Sequence, residues 1–338
     1  MLRLPEFELL SPTTVSEVTA LLAEHGEDAL LLAGGTDLLP NMKHELFTPR
    51  VVISLGAVEG LRRSRVEPDG TLVIGAMTPL DTLAHDEEVR SRAPALAQAA
   101  GLVAGPQLRR MGTLGGNVML DTRCQWYNQS YFWRSALGFC MKKDGTVCHV
   151  VEGGSKCVAA ASNDTAPPLM TLGAELVFAD ANGERRVPIA DLWLSDGIYN
   201  KRSKGELLVS VRIPPQHAGQ RGAYGKLRER GSIDFPLFGI AVRFDVEDET
   251  IVDAAAAVVS LQARPLALKK FDAAFRGVPT SGSAFEDALA TAADLAYKQC
   301  RPMANVPGDE DWRREMAPVY LRRTVRAALD GTGPVHHV

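Results

Sequence analysis

This 338-residue sequence lacks most of the features that place a chain in a functional class at sight. No uninterrupted apolar run approaches the roughly 20 residues of a membrane-spanning helix, and Met1 leads into Arg3, Glu6 and Glu8 without a secretory apolar core. A cytoplasmic location with no membrane partner is the expectation. The net charge of -4 gives no bulk attraction to polyanions, so no nucleic-acid partner is expected either. There is no G-x-G-x-x-G fingerprint, Walker A loop, H-E-x-x-H or G-x-S-x-G, which weakens the nicotinamide, NTPase, zinc-protease and α/β-hydrolase readings. Long-period repeats and low-complexity tails are also absent. Cysteine is scarce at five residues, too few to suggest a disulfide framework in a cytosolic chain, yet four of the five fall between Asn117 and Asp164.

What is present is a globular pattern, 46% hydrophobic and 23% charged, able to bury a core in two or three units. Ser11 and Pro12 open a helix over residues 12–25, whose apolar face is Val15, Val18, Leu21 and Leu22 and which Gly26 ends. Residues 29–33 read as a buried strand running into a glycine loop, and residues 51–55 as a second strand. Further strands are expected at 71–74 and 206–213, a hairpin around Asn182-Gly183, and helices from Pro79 and over 93–102. The Gly- and Gln-rich stretch 215–223 reads as a linker. Beyond it come strands at 240–246 and 251–261 and helical stretches at 266–275, 285–300 and 311–329. Three units follow: residues 1–56, residues 57–217 with an insert over about 119–161, and residues 218–338.

Two glycine segments carry possible chemistry: Ala33-Gly34-Gly35-Thr36-Asp37 and Gly112-Thr113-Leu114-Gly115-Gly116-Asn117. A pyrophosphate needs several converging backbone N–H groups, and glycine permits both close approach and left-handed dihedrals. Thr36, Thr113 and Asn117 add donors, and Arg109 or Arg110 adds charge. Ordinary turns explain such glycines equally well. Between the second segment and Ser162-Asn163-Asp164, the cysteines are spaced C-x15-C-x7-C-x8-C at Cys124, Cys140, Cys148 and Cys157. Four thiolates are the ligand set of a [4Fe-4S] cluster, and soft sulfur suits tetrahedral zinc too, although no tight C-x2-4-C pair is present. His149 is an alternative ligand or a plain loop residue. Cys300 reads as a packed thiol, and Trp126, Tyr127, Tyr131, Phe132 and Trp133 as an apolar jacket for the insert.

In order along the chain, the two glycine segments, Asp164 before Ala166-Pro167, and Glu206-Leu207-Leu208-Val209-Ser210-Val211-Arg212-Ile213-Pro214 resemble the FAD-binding medium subunits of the molybdenum hydroxylases. The resemblance implies an α+β chain: a PCMH-type FAD-binding fold of two N-terminal α/β subdomains, then an α+β C-terminal flavoprotein domain. It implies FAD contacts at Ala33, Gly34, Gly35, Thr36, Asp37, Thr113, Gly115, Gly116, Asn117, Asp164 and Leu208. Lys226 would approach the flavin ring, the alternative being a solvated surface lysine. In most of that family the Ser-Asp element closely follows the Gly-Gly-Asn turn, whereas here most of the 46 intervening residues are inserted.

Such an insert distinguishes the 4-hydroxybenzoyl-CoA reductase branch, which the chain resembles around Arg123-Cys124, Asn128-Gln129-Ser130-Tyr131, Phe139-Cys140-Met141-Lys142-Lys143 and Lys156-Cys157. That likeness implies a [4Fe-4S] cluster on Cys124, Cys140, Cys148 and Cys157, with ferredoxin as electron donor. Electrons would pass through FAD to a small [2Fe-2S] subunit and a large molybdopterin-binding subunit. No catalytic residue is then expected in this chain. Lys142, Lys143 and Lys156 read either as a basic landing patch for ferredoxin or as a solvated loop face.

Overall fold

Three β-sheets and the helices packed on them account for residues 2–336, which this computed structural model describes. The first unit runs β1 (Glu8–Leu10), α1 (Val15–His25), β2 (Ala29–Leu32), α2 (Leu38–Lys43) and β3 (Val51–Ser54). Its strands form a parallel sheet in the order β1-β3-β2, and Val18 and Leu22 of α1 bury against Ala29, Val51 and Ile53. The helix begins later than Ser11 and Pro12 suggest. Thr14 is its N-cap, accepting a hydrogen bond from Glu17 N, while the Glu17 carboxylate accepts from Thr14 N. This reciprocal box satisfies two otherwise unpaired donors, whereas a start at Ser11 would put Thr14 at the third position, with no carboxylate to reach back.

The second unit continues with β4 (Ser64–Val66), β5 (Leu72–Gly75), α3 (Leu80–His85), α4 (Glu87–Arg92), α5 (Pro94–Leu102), α6 (Pro106–Met111) and α7 (Leu114–Val118). After α8 (Tyr131–Ala136) and α9 (Ala166–Thr171) come β6 (Glu175–Asp180), β7 (Gly183–Pro188) and β8 (Leu207–Ile213). The strands pair antiparallel in the order β4-β5-β8-β6-β7, with Asn182-Gly183 at the expected hairpin. One face of the sheet packs Ile74, Leu176, Phe178 and Val211 against Leu83, Leu96, Leu114 and Leu169 from the helices. Full burial of each such side chain contributes about 1.5–3 kcal/mol.

The third sheet overturns the linker reading of residues 215–223, because β9 (Gln220–Leu227) begins inside that stretch. It joins β10 (Phe238–Glu247), β11 (Thr250–Val259), β12 (Leu266–Ala267) and β13 (Val335–His336) in the order β12-β11-β10-β9-β13. The glycines that looked like a flexible joint are there for packing. A Cβ on Gly219 would stand 2.0 Å from Val246 O and one on Gly222 3.1 Å from Val242 O, both on the neighbouring strand β10. Residues 266–275 likewise split into β12 and the short α10 (Phe271–Phe275), which precedes α11 (Ser283–Gln299) and α12 (Glu310–Asp330). Cys300 is fully buried and its thiol is pushed up to about 12 by that burial, as a packed residue requires. Among the described residues no helix is long and apolar enough to cross a membrane.

Candidate cofactor sites

The parallel β2 delivers Ala33-Gly34-Gly35-Thr36-Asp37 directly against the second glycine segment. A Cβ on Gly34 would lie 1.8 Å from Met111 O, and one on Gly116 would lie 3.9 Å from Ala33 Cβ, so the two segments share one surface. Gly35 alone in them adopts a left-handed φ, +72°. The turn expected at residues 112–117 is instead the start of α7: Thr113 caps it, its Oγ1 accepting from Gly116 N at 3.1 Å. Gly115 serves close approach, since a Cβ there would meet Ala76 at 2.8 Å. Among the described residues the backbone N–H groups of Gly34, Gly35, Thr36 and Asp37 have no hydrogen-bond partner, although Thr36 is exposed and the rest half-buried. Consecutive unpaired donors on a glycine loop are what a pyrophosphate requires. The residues present therefore fit FAD.

Asn117 fastens the two ends of the insert together. Its Oδ1 accepts from Thr165 N at 3.0 Å and Thr165 Oγ1 at 2.6 Å, while Asn163 Nδ2 donates to Asn117 O and Val118 O. Next to Thr165, Asp164 is buried and paired with Lys226: Nζ to Oδ2 is 3.2 Å, and Tyr224 OH donates to Oδ1 at 2.8 Å. Lys226 Nζ also donates to Leu102 O at 3.0 Å. It is no solvated lysine. Burial pushes the Asp164 carboxyl up and the Lys226 ammonium down, and each charge counteracts the shift of the other. Leu208 is buried on β8 opposite Phe178. Asp164 and Lys226 thus stand together, the two glycine segments stand together, and no hydrogen bond ties Leu208 to either group.

The expected phosphate-facing charge is elsewhere. Arg109 donates to Val103 O, and Arg110 lies exposed 4.0 Å from Asp81. Arg123, which has no expected role, takes the place beside the glycine loop. Its Nη1 is 3.0 Å from Asp37 Oδ1, and its guanidinium lies 3.8 Å from the centroid of the Phe235 ring. Burial lowers the Arg123 pKa and raises that of Asp37, with each partner opposing the change. Adjacency to Cys124 was the only signal for it.

The four insert cysteines converge. Cys124, Cys140, Cys148 and Cys157 all line one pocket, together with Trp126, Tyr127, Lys142 and His149. All four are free thiols, with Cys140 and Cys157 buried. Burial pushes the Cys124 thiol up to about 11, and it raises Cys157 as well. Among the described residues no three His, Cys, Asp or Glu side chains are grouped as ligands of a single ion would be. The thiols of a cluster each hold a different iron, so they surround a wider space than ligands of one ion do. His149 has its Nε2 engaged 2.6 Å from Phe139 O and its ring against Trp126. The apolar jacket is incomplete: Tyr127 is buried, but Phe132 is 82% exposed and Tyr131 and Trp133 are also open. Nor do the lysines form one surface patch, because Lys142 is buried in the pocket wall.

Comparison with known proteins covers nearly the whole chain. Residues 5–216 match the family described as FAD binding domain in molybdopterin dehydrogenase, and residues 223–328 the carbon monoxide dehydrogenase flavoprotein C-terminal domain. The sequence is 32% identical over 326 residues to the carbon monoxide dehydrogenase medium chain of Hydrogenophaga pseudoflava, covering 96% of this chain and 97% of that one. It is 34% identical over 232 residues to the aldehyde oxidoreductase FAD-binding subunit of Escherichia coli strain K12, covering 66% and 72%. A chain in a solved structure of the Hydrogenophaga pseudoflava carbon monoxide dehydrogenase matches with a TM-score of 0.78 at 30% identity, over 97% of this chain and 99% of that one.

Proposed function

This chain belongs to the family of FAD-binding subunits of the molybdopterin dehydrogenases, and we propose that it is the FAD- and [4Fe-4S]-carrying electron-transfer subunit of a 4-hydroxybenzoyl-CoA reductase. Its fold is the family's: an α+β chain with a PCMH-type FAD-binding part followed by the flavoprotein C-terminal domain. The division into residues 1–56, 57–217 and 218–338 is part of the proposal, as is a cytoplasmic location.

The observation that carries the cluster reading is the convergence of Cys124, Cys140, Cys148 and Cys157 on one pocket, in an insert fastened at Asn117 to the flavin-binding frame. When bound, FAD supplies a carrier of one or two electrons and the cluster a carrier of one. The chain's own groups bind and orient. Residues 34–37 offer backbone donors to the pyrophosphate, with Thr113, Gly115, Gly116 and Asn117 completing the cradle. Asp164 and Lys226 lock β9 to the segment before α9 and thereby fix the wall behind it. Tyr127, Trp126 and Val158 keep the cysteine pocket largely apolar, and the thiols give up their protons on ligation.

No acid–base dyad is assigned here. Dehydroxylation of 4-hydroxybenzoyl-CoA would take place in a large molybdopterin-binding subunit, reached through a small [2Fe-2S] subunit, with ferredoxin as the donor. Co-expression with those subunits tests the reading: the purified complex should consume 4-hydroxybenzoyl-CoA with reduced ferredoxin. A complex that is inert in this assay but oxidises another substrate through its FAD would assign the chain to a different molybdenum dehydrogenase.

A further inference from the structure

The cysteine pocket contains a fixed cation that the ligand assignment does not use. Lys142 lines the pocket with a side chain only 5% exposed. A buried ammonium is stable only when its donors are satisfied. Here Nζ donates to Asp121 Oδ1 at 2.8 Å, Thr122 Oγ1 at 2.6 Å and Gly197 O at 2.6 Å, and lies 4.9 Å from the centroid of the Tyr127 ring. Asp121 is shared, its Oδ2 accepting from Tyr127 OH at 3.3 Å. The anchor at Gly197 is itself tied to a proposed ligand. Gly197 N donates to Cys157 O at 2.8 Å, and a Cβ on Gly197 would stand 2.8 Å from Cys157 Sγ. Lys142 is thus held in place by three acceptors, with its positive charge in the wall that the four sulfurs share.

We propose that Lys142 is a positioning residue for the redox level of this pocket, its charge raising the reduction potential of a cluster held by Cys124, Cys140, Cys148 and Cys157, with Asp121 partly offsetting it. The proposal rests on the cluster reading above. Reduction adds negative charge to the pocket, which a nearby cation stabilises and a nearby carboxylate opposes. Burial limits the screening of both by salt. The two groups therefore act with opposite sign, although they are hydrogen-bonded to each other.

The test is a spectroscopically monitored redox titration of the anaerobically purified full chain, with iron and FAD assayed on each sample. Lys142→Met should lower the cluster's midpoint enough to change the reduced-to-oxidised ratio about tenfold at a given potential, about 59 mV for one electron. Asp121→Asn should raise it. Tyr127→Phe, which removes no charge, should move it less than either. A purely structural role for the pair would strip iron or shift both variants in one direction, and either result overturns the proposal. Should Lys142→Met fail to fold, Asp121→Asn decides alone, an unchanged or lowered midpoint being the contrary result. Wild-type protein without iron would remove the cluster reading itself; a wild-type cluster whose midpoint ignores both substitutions would remove only the role given to Lys142.

Discussion

The glycine segments at residues 33–37 and 112–117 are held by backbone packing, whereas the segment between Asn117 and Asp164 is held largely through side chains. In the flavin-binding frame, Gly34 lies against Met111 and Gly115 against Ala76 so closely that no larger residue fits. In the insert the only helix is the six-residue α8, and among the described residues no strand of the three sheets passes through it. Besides the Asn117 clasp, its fixed points include ion pairs: Arg123 to Asp37, Lys142 to Asp121, and the buried Arg134, which donates to Asp144 Oδ2 at 3.1 Å and to Glu45 O at 3.0 Å. A site that binds through backbone N–H groups needs a precise main chain. A site that binds through four side chains needs only that their sulfurs be brought together, and a loop pinned by charges can do that.

The largest effect is expected where the frame departs from its own rule. Lys226→Met leaves Asp164 buried without its cation and should cost about 3–5 kcal/mol in chemical denaturation. A loss below about 1 kcal/mol, the range of exposed pairs, would mean that the pair is not the buried lock described here. The insert's counterpart is Arg134→Met, which removes charged hydrogen bonds worth about 1.5–3 kcal/mol each. Iron should be lost from this variant while FAD stays. Gly34→Ala is its mirror image: a Cβ forced against Met111 O costs about 1–3 kcal/mol as overpacking and should release FAD while iron stays. If both variants lose both cofactors, the frame and the insert are one cooperative unit.

The smallest effect concerns acid. Burial pushes the Glu206 carboxyl up, but hydrogen bonds from Arg185 and Ser203 N outweigh it and hold the carboxyl below its ordinary value of 4.5. A depressed native pKa contributes stability that is present above the unfolded value and lost as pH falls through the native one. Glu206→Gln should therefore flatten the decline in Tm below about pH 4.5, and an unchanged decline would assign the acid sensitivity to other carboxylates.

Much of the frame was legible because its constraints are local. A strand running into Gly34-Gly35 and the glycine segment from Gly112 to Asn117 declare themselves within a few residues, although the second proved to be a helix start capped by Thr113. The cysteines were legible as a ligand set by residue type alone. Their scaffold was not: Lys142 finds Gly197 55 residues away, Arg123 finds Asp37 86 away, and Arg134 finds Glu45 89 away. Nothing near these residues in sequence announces such partners, so Lys142 read as surface charge and Arg123 as bare context for Cys124. The same limit hid β9, whose Gly222 looks like part of a linker until β10 and α5 are packed against it. Phe132 errs the other way, an aromatic expected to cover the insert that stands in solvent.

The central claim is that one chain carries two separable cofactor sites, and the most direct test is the iron, sulfide, zinc and flavin content of anaerobically purified protein beside its Cys148→Ser variant. The account predicts one FAD and about four irons per wild-type chain, with iron lost and FAD retained in the variant. FAD without iron after reconstitution, zinc in place of iron, or a variant that loses its FAD and keeps its iron would contradict it.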